Sequence, residues 1–389
     1  MNPICNKRTV VTTLALLCAI ASGTAVAKST WTLDAKANLY PGADAVVEQP
    51  SVDGSGWKML HSNQATEQVS YATSGETLDP LFPIRIRYEF LSHSPRKADA
   101  RLFGFQLMDA RVVNTSLHRD GRGCAMEGDY LSVGFQWRGQ FSAACGGPLT
   151  LEKNFVALRG AGNLLLDKRP SPVPLACMNY KMMPSERVPE FECLSREEAI
   201  TKGFVRRMEA TLTPKSNNGG FLLDLSLDGH SVHDAQDVAI AAPDRLRFGI
   251  FSFIDNSGSA HEVRNVRVTQ DTLLVSDLDN RCLEAQAGSG ASRPVGVRAC
   301  SGAKGQVFRR AGRQLEVGGK CLEALGPPSW QLVAATCNGT ARQEWVRDTH
   351  GRLRADGTQM CITVAAGELR PTLQACANKV EQRFLAMTP

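Results

Sequence analysis

Short runs of alternating hydrophobic and polar residues recur between residues 80 and 270, separated by segments rich in turn-forming residues. An alternation with a period of two predicts β-strands that bury one face. Such runs lie at 83–90, 102–107, 130–135, 221–227 and 246–253. No helical period is sustained over twelve residues in this region. We therefore predict that residues 28–270 form an antiparallel sandwich of two packed sheets.

The alternating runs nearer the C-terminus belong to a unit of about 40 residues that occurs three times. Each copy begins with Cys-Leu-Glu or Cys-Ile-Thr, contains a second cysteine and ends in Gln-x-aromatic. A fixed period of this length indicates one supersecondary unit whose apolar face is buried only against its copies. Three copies are too few to close a propeller, so the repeat predicts a β-trefoil. The copies begin at Cys282, Cys321 and Cys361.

This triple pattern, over residues from about 275 to 389, resembles the ricin B-chain type of β-trefoil lectin. The resemblance implies binding of galactose or a related sugar in shallow pockets, at most one in each repeat. It also implies that the glutamine and the aromatic residue of the closing motif mostly serve the core. These residues are Gln306, Phe308, Gln343, Trp345, Gln382 and Phe384.

The resemblance also assigns positions that contact the sugar. The pocket carboxylate stands two residues after the first cysteine, which gives Glu284 and Glu323, with Thr363 in the third repeat. A stacking aromatic residue is expected two residues before the second cysteine, but no repeat has one there, and an aromatic ring is a sugar's main apolar contact. The second repeat keeps the largest number of the expected sugar-contacting residues, and we hypothesise that Trp330 replaces its missing ring. The candidate carbohydrate-binding residues are Glu284, Gln306, Glu323, Trp330, Asn338 and Gln343.

A second resemblance covers most of residues 80–270. The segments GDYLSVGF at 128–135, GQF at 139–141 and NFVALRG at 154–160 resemble bacterial L-type, legume-lectin-like domains. The resemblance implies a concanavalin A-like sandwich, or jelly roll. Where metal-bearing members have acidic residues, this chain has Gly134 and Gln136. Calcium needs several oxygen ligands, so we expect no metal, no cofactor and no legume-type sugar pocket.

The first 27 residues have the pattern of a secretory signal peptide. Lys7 and Arg8 precede an apolar stretch at 10–21, and a small-x-small triplet ends at Ala27. This order of charge, apolar core and small residues predicts cleavage near Ala27. A membrane anchor and a lipid anchor on Cys18 are the alternatives, although the apolar stretch is short for a membrane span. We expect the protein to be secreted or periplasmic.

The cysteines agree with export. Ten of the twelve follow residue 27 and fall in pairs that are close in sequence. In an oxidising compartment such pairs indicate disulfide bonds, and no CxxC motif or neighbouring histidine favours zinc. The predicted bonds are Cys124–Cys145, Cys177–Cys193, Cys282–Cys300, Cys321–Cys337 and Cys361–Cys376.

Composition and charge narrow the partners. The apolar fraction of 43% and the charged fraction of 21% are those of an ordinary globular protein. The net charge of +5 falls to +3 if Lys7 and Arg8 are removed, and it is too weak and scattered to favour nucleic acid. No stretch after residue 27 reaches the 18 apolar residues of a membrane span.

Signals of catalysis are few. Glu127 and Asp129 are two residues apart and would share a strand face, which is one requirement of a glycosidase carboxylate pair. Two carboxylates at such a position more often belong to a solvated turn. His230 and His233 form the closest histidine pair, but on a strand they would face opposite sides. We therefore expect no catalytic residues.

Together these patterns predict a secreted, all-β, lectin-like protein without enzymatic activity. Its parts are a signal peptide at 1–27, a concanavalin A-like sandwich at 28–270 and a ricin B-type β-trefoil at 271–389. The expected partners are glycans on polysaccharide or glycoprotein. One alternative is a protein-interaction or surface-structural module whose sugar sites have degenerated. Another is a polysaccharide-degrading hydrolase.

Overall fold

A computed structural model describes residues 58–59, 68–93, 100–111, 129–136, 154–161, 164–175, 179–181, 190–192, 195–215, 219–254, 260–288 and 290–389. These residues form β-strands throughout, with one short α-helix, so the predicted all-β class is confirmed. No helix among them is long and apolar enough to cross a membrane. The proposed signal peptide, the pairs Cys124–Cys145 and Cys177–Cys193, Glu127 and the side chain of Asp129 lie outside the described residues.

The described residues of the N-terminal region form two six-stranded antiparallel sheets and a small two-stranded ribbon. The first sheet has the order β1-β14-β3-β10-β11-β12, the second has the order β2-β13-β4-β5-β6-β7, and β8 pairs with β9. The strands and the helix are β1 (Lys58–Met59), β2 (Gln68–Leu78), β3 (Ile84–His93), β4 (Ala100–Asp109), β5 (Asp129–Gln136), β6 (Phe155–Gly160), β7 (Leu165–Pro170), β8 (Asn179–Lys181), β9 (Glu190–Glu192), α1 (Arg196–Thr201), β10 (Arg206–Pro214), β11 (Phe221–Leu227), β12 (His230–Val238), β13 (Leu246–Ile254) and β14 (Ala260–Thr269).

The two sheets share one apolar core. Alternate residues of each strand point between the sheets, as the period of two predicts. Tyr88 and Leu223 of the first sheet belong to the same buried cluster as Phe105, Val133 and Ile250 of the second. The sandwich predicted from alternation is therefore the observed arrangement of the described strands. Its concanavalin A-like topology remains a prediction.

The C-terminal region continues directly from β14. One residue, Gln270, separates β14 from β15. An eight-stranded sheet has the order β16-β17-β21-β20-β19-β18-β15-β26, and a four-stranded sheet has the order β22-β23-β24-β25. The strands are β15 (Asp271–Ser276), β16 (Arg281–Ala285), β17 (Ser292–Ala299), β18 (Val307–Ala311), β19 (Gln314–Val317), β20 (Lys320–Ala324), β21 (Leu332–Ala335), β22 (Trp345–Arg347), β23 (Leu353–Ala355), β24 (Met360–Thr363), β25 (Thr372–Ala375) and β26 (Phe384–Met387).

The three repeats fold alike around a second apolar core. In each repeat the first cysteine opens a hairpin, and a disulfide bond ties that hairpin to the second cysteine. The bonds Cys282–Cys300, Cys321–Cys337 and Cys361–Cys376 are present, so these three predicted pairings are confirmed. Each repeat adds matching residues to the core, which are Leu283 with Phe308, Leu322 with Trp345, and Ile362 with Phe384. All six side chains are at most 1% exposed.

Candidate functional site

Each repeat of the C-terminal region buries one glutamine whose amide joins three segments of that repeat. In the first repeat the Gln306 Oε1 atom accepts from the backbone N–H of Ser301 at 2.8 Å. The Gln306 Nε2 atom donates to the carbonyl of Ala299 at 2.9 Å and to the Glu284 carboxylate at 2.7 Å. We call this arrangement the glutamine bridge. It links the two strands of the hairpin to the loop after the second cysteine.

The second repeat has the same bridge. The Gln343 Oε1 atom accepts from the backbone N–H of Asn338 at 2.8 Å. The Gln343 Nε2 atom donates to the carbonyl of Thr336 and to the Glu323 carboxylate, both at 2.8 Å. Glu323 is half-buried, as Glu284 is. Two repeats therefore hold a carboxylate in the same local position by the same donor.

The third repeat keeps the bridge but not the carboxylate. The Gln382 Oε1 atom accepts from the N–H of Ala377 at 2.7 Å, and Nε2 donates to the carbonyl of Ala375 at 3.0 Å. Its remaining proton goes to the hydroxyl of Thr363 at 3.0 Å. Thr363 is only 4% exposed. This repeat accordingly presents neither a negative charge nor an accessible hydroxyl at that position.

The bridge defines what the glutamines can do. Gln306 and Gln343 are at most 1% exposed, and both amide protons and the carbonyl oxygen of each have partners within the protein. Each bridge leaves the second carboxylate oxygen of Glu284 or Glu323 outside these bonds. The glutamines thus fix the orientation of the carboxylates, whereas the glutamic acids, which are half-buried, keep part of their surface exposed.

Trp330 and Asn338, the other sequence candidates, lie in loops of the second repeat. Trp330 is half-buried and packs against the trefoil core. Its backbone adopts a φ of 43°, which is uncommon for a bulky residue and shows that tertiary contacts hold the loop. Its carbonyl accepts from Leu373 of the third repeat at 2.9 Å. Asn338 is exposed, and its side-chain oxygen accepts from the N–H of Thr340 at 3.0 Å, so this side chain closes its own loop.

Gly134 and Gln136 stand where metal-bearing legume-type lectins have acidic residues, and the side chain of Gln136 lies outside the described residues. Gly134 in β5 pairs with Gly104 on one side and with Ala157 on the other. Elsewhere in the described residues, one group of potential ligand atoms comes together, from Glu316, Cys321 and Cys337. The two cysteines of that group form a disulfide bond. A disulfide sulfur is not a thiolate ligand, so this group does not fit a metal ion.

The two histidines of β12 differ in exposure. His230 is exposed, whereas His233 is buried, with its Nδ1 atom 3.5 Å from the Asp167 carboxylate. Burial lowers the pKa of His233, although the charge of Asp167 opposes this effect. The pair therefore has no shared face for a common ligand.

A buried charged cluster in the sandwich was not predicted from sequence. The Glu262 carboxylate, which is 1% exposed, accepts from His93 Nε2 at 2.8 Å and from Arg196 Nε at 2.7 Å. Burial alone would raise the pKa of Glu262, but the hydrogen bonds from His93 and Arg196 outweigh burial and lower it. Arg196 begins helix α1, so the cluster fastens that helix to β3 and β14. The capping box of Ser195 and Glu198 is a sequence signal that could have located the start of this helix, but it does not indicate the charged cluster.

Comparisons with solved structures gave matches of low identity. The β-trefoil lectin of the Vibrio vulnificus hemolysin/cytolysin, solved with N-acetyl-D-lactosamine bound, is 16% identical over 31% of this chain and 94% of its own, with a TM-score of 0.27. The Lotus tetragonolobus seed lectin is 9% identical over 59% of this chain and 94% of its own, with a TM-score of 0.38.

A third match is to GalNAc-T7, solved with UDP, GalNAc and Mn²⁺. It is 18% identical over 30% of this chain, with a TM-score of 0.28, and this chain spans only 22% of GalNAc-T7. No curated protein matches the sequence. At the level of families, residues 270–384 match the ricin-type beta-trefoil lectin domain. The three bridged, disulfide-linked repeats therefore lie in the part of the chain that is similar to the ricin-type lectin domain.

Proposed function

We propose that this protein recognises glycans through the first and second repeats of its trefoil. The observation that carries the proposal is the glutamine bridge, which holds Glu284 and Glu323 in the same way in two repeats. The third repeat, with buried Thr363 in that position, takes no part. The protein is on this view a lectin with two sites rather than three.

The chemistry of the two carboxylates suits a sugar. An ionised carboxylate accepts hydrogen bonds on two oxygens, and bonds of this kind to a charged group are stronger than neutral ones. A sugar ring offers neighbouring hydroxyl donors. Because the bridge takes one acceptor position on each carboxylate, positions on Glu284 and Glu323 remain for the ligand. Half-burial of these carboxylates lowers the local dielectric and strengthens each bond.

Two weak sites in one domain raise the overall affinity for a glycan that presents several sugars. Once one site is occupied, the second binds at a high effective concentration. Trp330 lies in the loop between β20, the strand of Glu323, and β21. On this proposal its half-buried ring supplies apolar contact in place of the stacking ring that Ala335 cannot provide. Asn338 borders the same repeat through its exposed loop.

The proposal is tested by a glycan array on the full chain, followed by titration of the best sugar. We expect saturable binding that free sugar competes. Glu284→Gln and Glu323→Gln should each weaken the affected site about 10- to 100-fold, since each removes the charge but keeps the shape. The double variant should lose binding.

Glu368→Gln is the matched control, because Glu368 is an exposed carboxylate of the same domain outside the bridges. It should leave binding unchanged. A double variant that binds like the natural protein would refute the proposed sites. Absence of any competed glycan binding would instead favour a protein-interaction module, as does the lack of an aromatic residue at Arg298, Ala335 and Gln374.

We also propose that the protein acts after export and without catalysis. The N-terminal pattern of Lys7, Arg8 and the apolar stretch supports export, and three disulfide bonds suit an oxidising compartment. Cell fractionation with sequencing of the mature N-terminus tests cleavage near Ala27. Release of products from polysaccharides that Glu127→Gln abolishes would show that the protein is a hydrolase.

A further inference from the structure

One aromatic residue of the N-terminal region is buried in the core of the trefoil. Phe82 lies in the turn between β2 and β3, and it is 0% exposed. Its neighbours in sequence, Leu78 and Ile84, pack in the core of the sandwich. Phe82 instead belongs to the cluster formed by the three repeats, and Leu81 packs against that cluster from the same turn. The turn therefore contributes Leu81 and Phe82 to the trefoil core, although the residues on either side of it belong to the sandwich core.

Two arginines of the trefoil enclose this ring. The guanidinium carbon of Arg310 lies 5.0 Å from the centre of the Phe82 ring, and that of Arg347 lies 5.8 Å from it. Such distances are those of cation–π contacts. The two residues occupy equivalent positions, each two residues after the aromatic of the closing motif, and we call them the arginine pair. The third repeat has Ala386 in that position.

Polar groups of the turn form hydrogen bonds with both members of the arginine pair. Arg347 Nη1 donates to the carbonyl of Leu81 at 2.7 Å. Arg310 Nη2 donates to the Asp79 carboxylate at 3.3 Å, and Asp79 also lies 3.5 Å from Arg245 of the sandwich. Buried charges without partners are costly. Without the turn, the pair would lose its carboxylate, one carbonyl and the aromatic ring.

The connection between the two regions holds the same turn. Gln270, which alone separates β14 from β15, accepts from the N–H of Asp79 at 3.0 Å and donates to the carbonyl of Asp79 at 2.7 Å. The backbone carbonyl of Gln270 accepts from the N–H of Arg310 at 2.9 Å. Gln270 is 4% exposed. It therefore bonds the turn through its side chain and the trefoil through its backbone.

We propose that the trefoil surface around the arginine pair is an interaction surface whose partner is the turn Asp79–Phe82 of the same chain, and that this turn completes the trefoil core. The lectin domain is then not an independent module. Its stability depends on the turn Asp79–Phe82, which couples the two regions through Phe82.

Hydrogen exchange on the full chain tests this proposal. Phe82→Ala removes a ring that lies outside the trefoil in sequence but inside it in space. We expect faster exchange in β18 and β22, the strands of the arginine pair, and a melting temperature lower by about 5–10 °C. Asp79→Asn should accelerate exchange in the same two strands to a smaller extent.

Phe221→Ala is the matched control, because Phe221 is an equally buried phenylalanine of the sandwich core. It should accelerate exchange in β10 to β12 and leave β18 and β22 unchanged. If Phe82→Ala does not fold, Phe82→Leu, which keeps most of the apolar volume, should show the same pattern more weakly. Unchanged exchange in β18 and β22 in either Phe82 variant would overturn the proposal, whatever the sugar binding of the protein.

Discussion

The sandwich and the trefoil are both antiparallel β-structures, but they reach stability by different means. The sandwich relies on one continuous core that is rich in aromatic rings. Phe90 stacks on Phe135 with 5.2 Å between ring centres, and Tyr88 meets Phe103 edge-on at 5.7 Å. The trefoil repeats one small arrangement three times, each with its own disulfide bond and buried glutamine.

The threefold repetition of the trefoil makes it possible to compare equivalent positions, which the sandwich does not allow. In the trefoil, threefold repetition makes any departure conspicuous, as Thr363 is where the other repeats have a carboxylate. The described strands of the sandwich offer no such matched copies, and a charged group such as Glu262 belongs to one local cluster. A substitution in one trefoil repeat can therefore be compared with the matching position of the other two repeats, whereas a substitution in the sandwich core has no such internal reference.

The largest effect is expected at the centre of the trefoil. Trp345→Ala should lower the free energy of unfolding by about 4 kcal/mol, because it removes a fully buried indole. It also removes the bond from Nε1 to the Leu322 carbonyl at 2.9 Å. Urea unfolding measures the loss. Trp330→Ala, which removes a half-buried ring from the same repeat, should cost clearly less, and an equal loss would contradict this account of the core.

A smaller, pH-dependent effect is expected in the sandwich. The pKa of Glu262 is lowered by folding from its ordinary value of 4.5, so its ionised form stabilises the fold above that pH. This contribution should disappear as the pH falls below 4.5 through the pKa of the folded state. Glu262→Gln should therefore lose about 2–3 kcal/mol at pH 7 and much less at pH 3, as measured by urea unfolding.

Glu368→Gln serves as the control for the Glu262 experiment, because its carboxylate is exposed. In the Glu368→Gln variant, the loss of stability as the pH falls below 4.5 should remain the same as in the natural protein. A Glu262→Gln variant that is destabilised equally at both pH values would show that ionisation is not the cause.

The smallest effect compares the repeats with one another. Gln343→Ala and Gln382→Ala should each reduce stability by about 1–2 kcal/mol, since each removes a complete glutamine bridge. Of these two variants only Gln343→Ala should also weaken glycan binding, by about 10-fold, because Gln343 orients a carboxylate and Gln382 does not. Titration with the same sugar checks this difference, and equal binding by both variants would argue against a positioning role for Gln343.

Local patterns made much of this fold predictable. The run at 221–227 coincides with β11, and the other four alternating runs fall on β3, β4, β5 and β13. The repeat located Gln306 and Gln343 together with their cysteine pairs. Strands with weaker alternation, such as β12, were not predicted, because β12 carries extra bulged residues opposite Leu223–Leu225 and Leu225–Ser226 of β11, which interrupt its alternation.

Contacts between distant segments were beyond the sequence. His93 and Glu262 are 169 residues apart, and no local pattern joins them. Phe82 reads as one more apolar residue beside a strand, although it serves the other core. The glutamine bridge shows a third case, in which the residues were found but their division of labour was not. The burial of the two side chains separates their roles: Gln343 is fully buried and orients the Glu323 carboxylate, whereas Glu323 is half-buried.

The dependence of the trefoil on Asp79–Phe82 restricts how this chain can be recombined. A chimera that fuses its C-terminal third to a foreign scaffold would inherit two arginines with nothing to cover them. Transplantation should succeed only when the graft brings a substitute for Phe82, or when positions 310 and 347 are made small like Ala386. We accordingly expect substitutions at positions 82, 310 and 347 to occur together in evolution, so that the two regions change jointly.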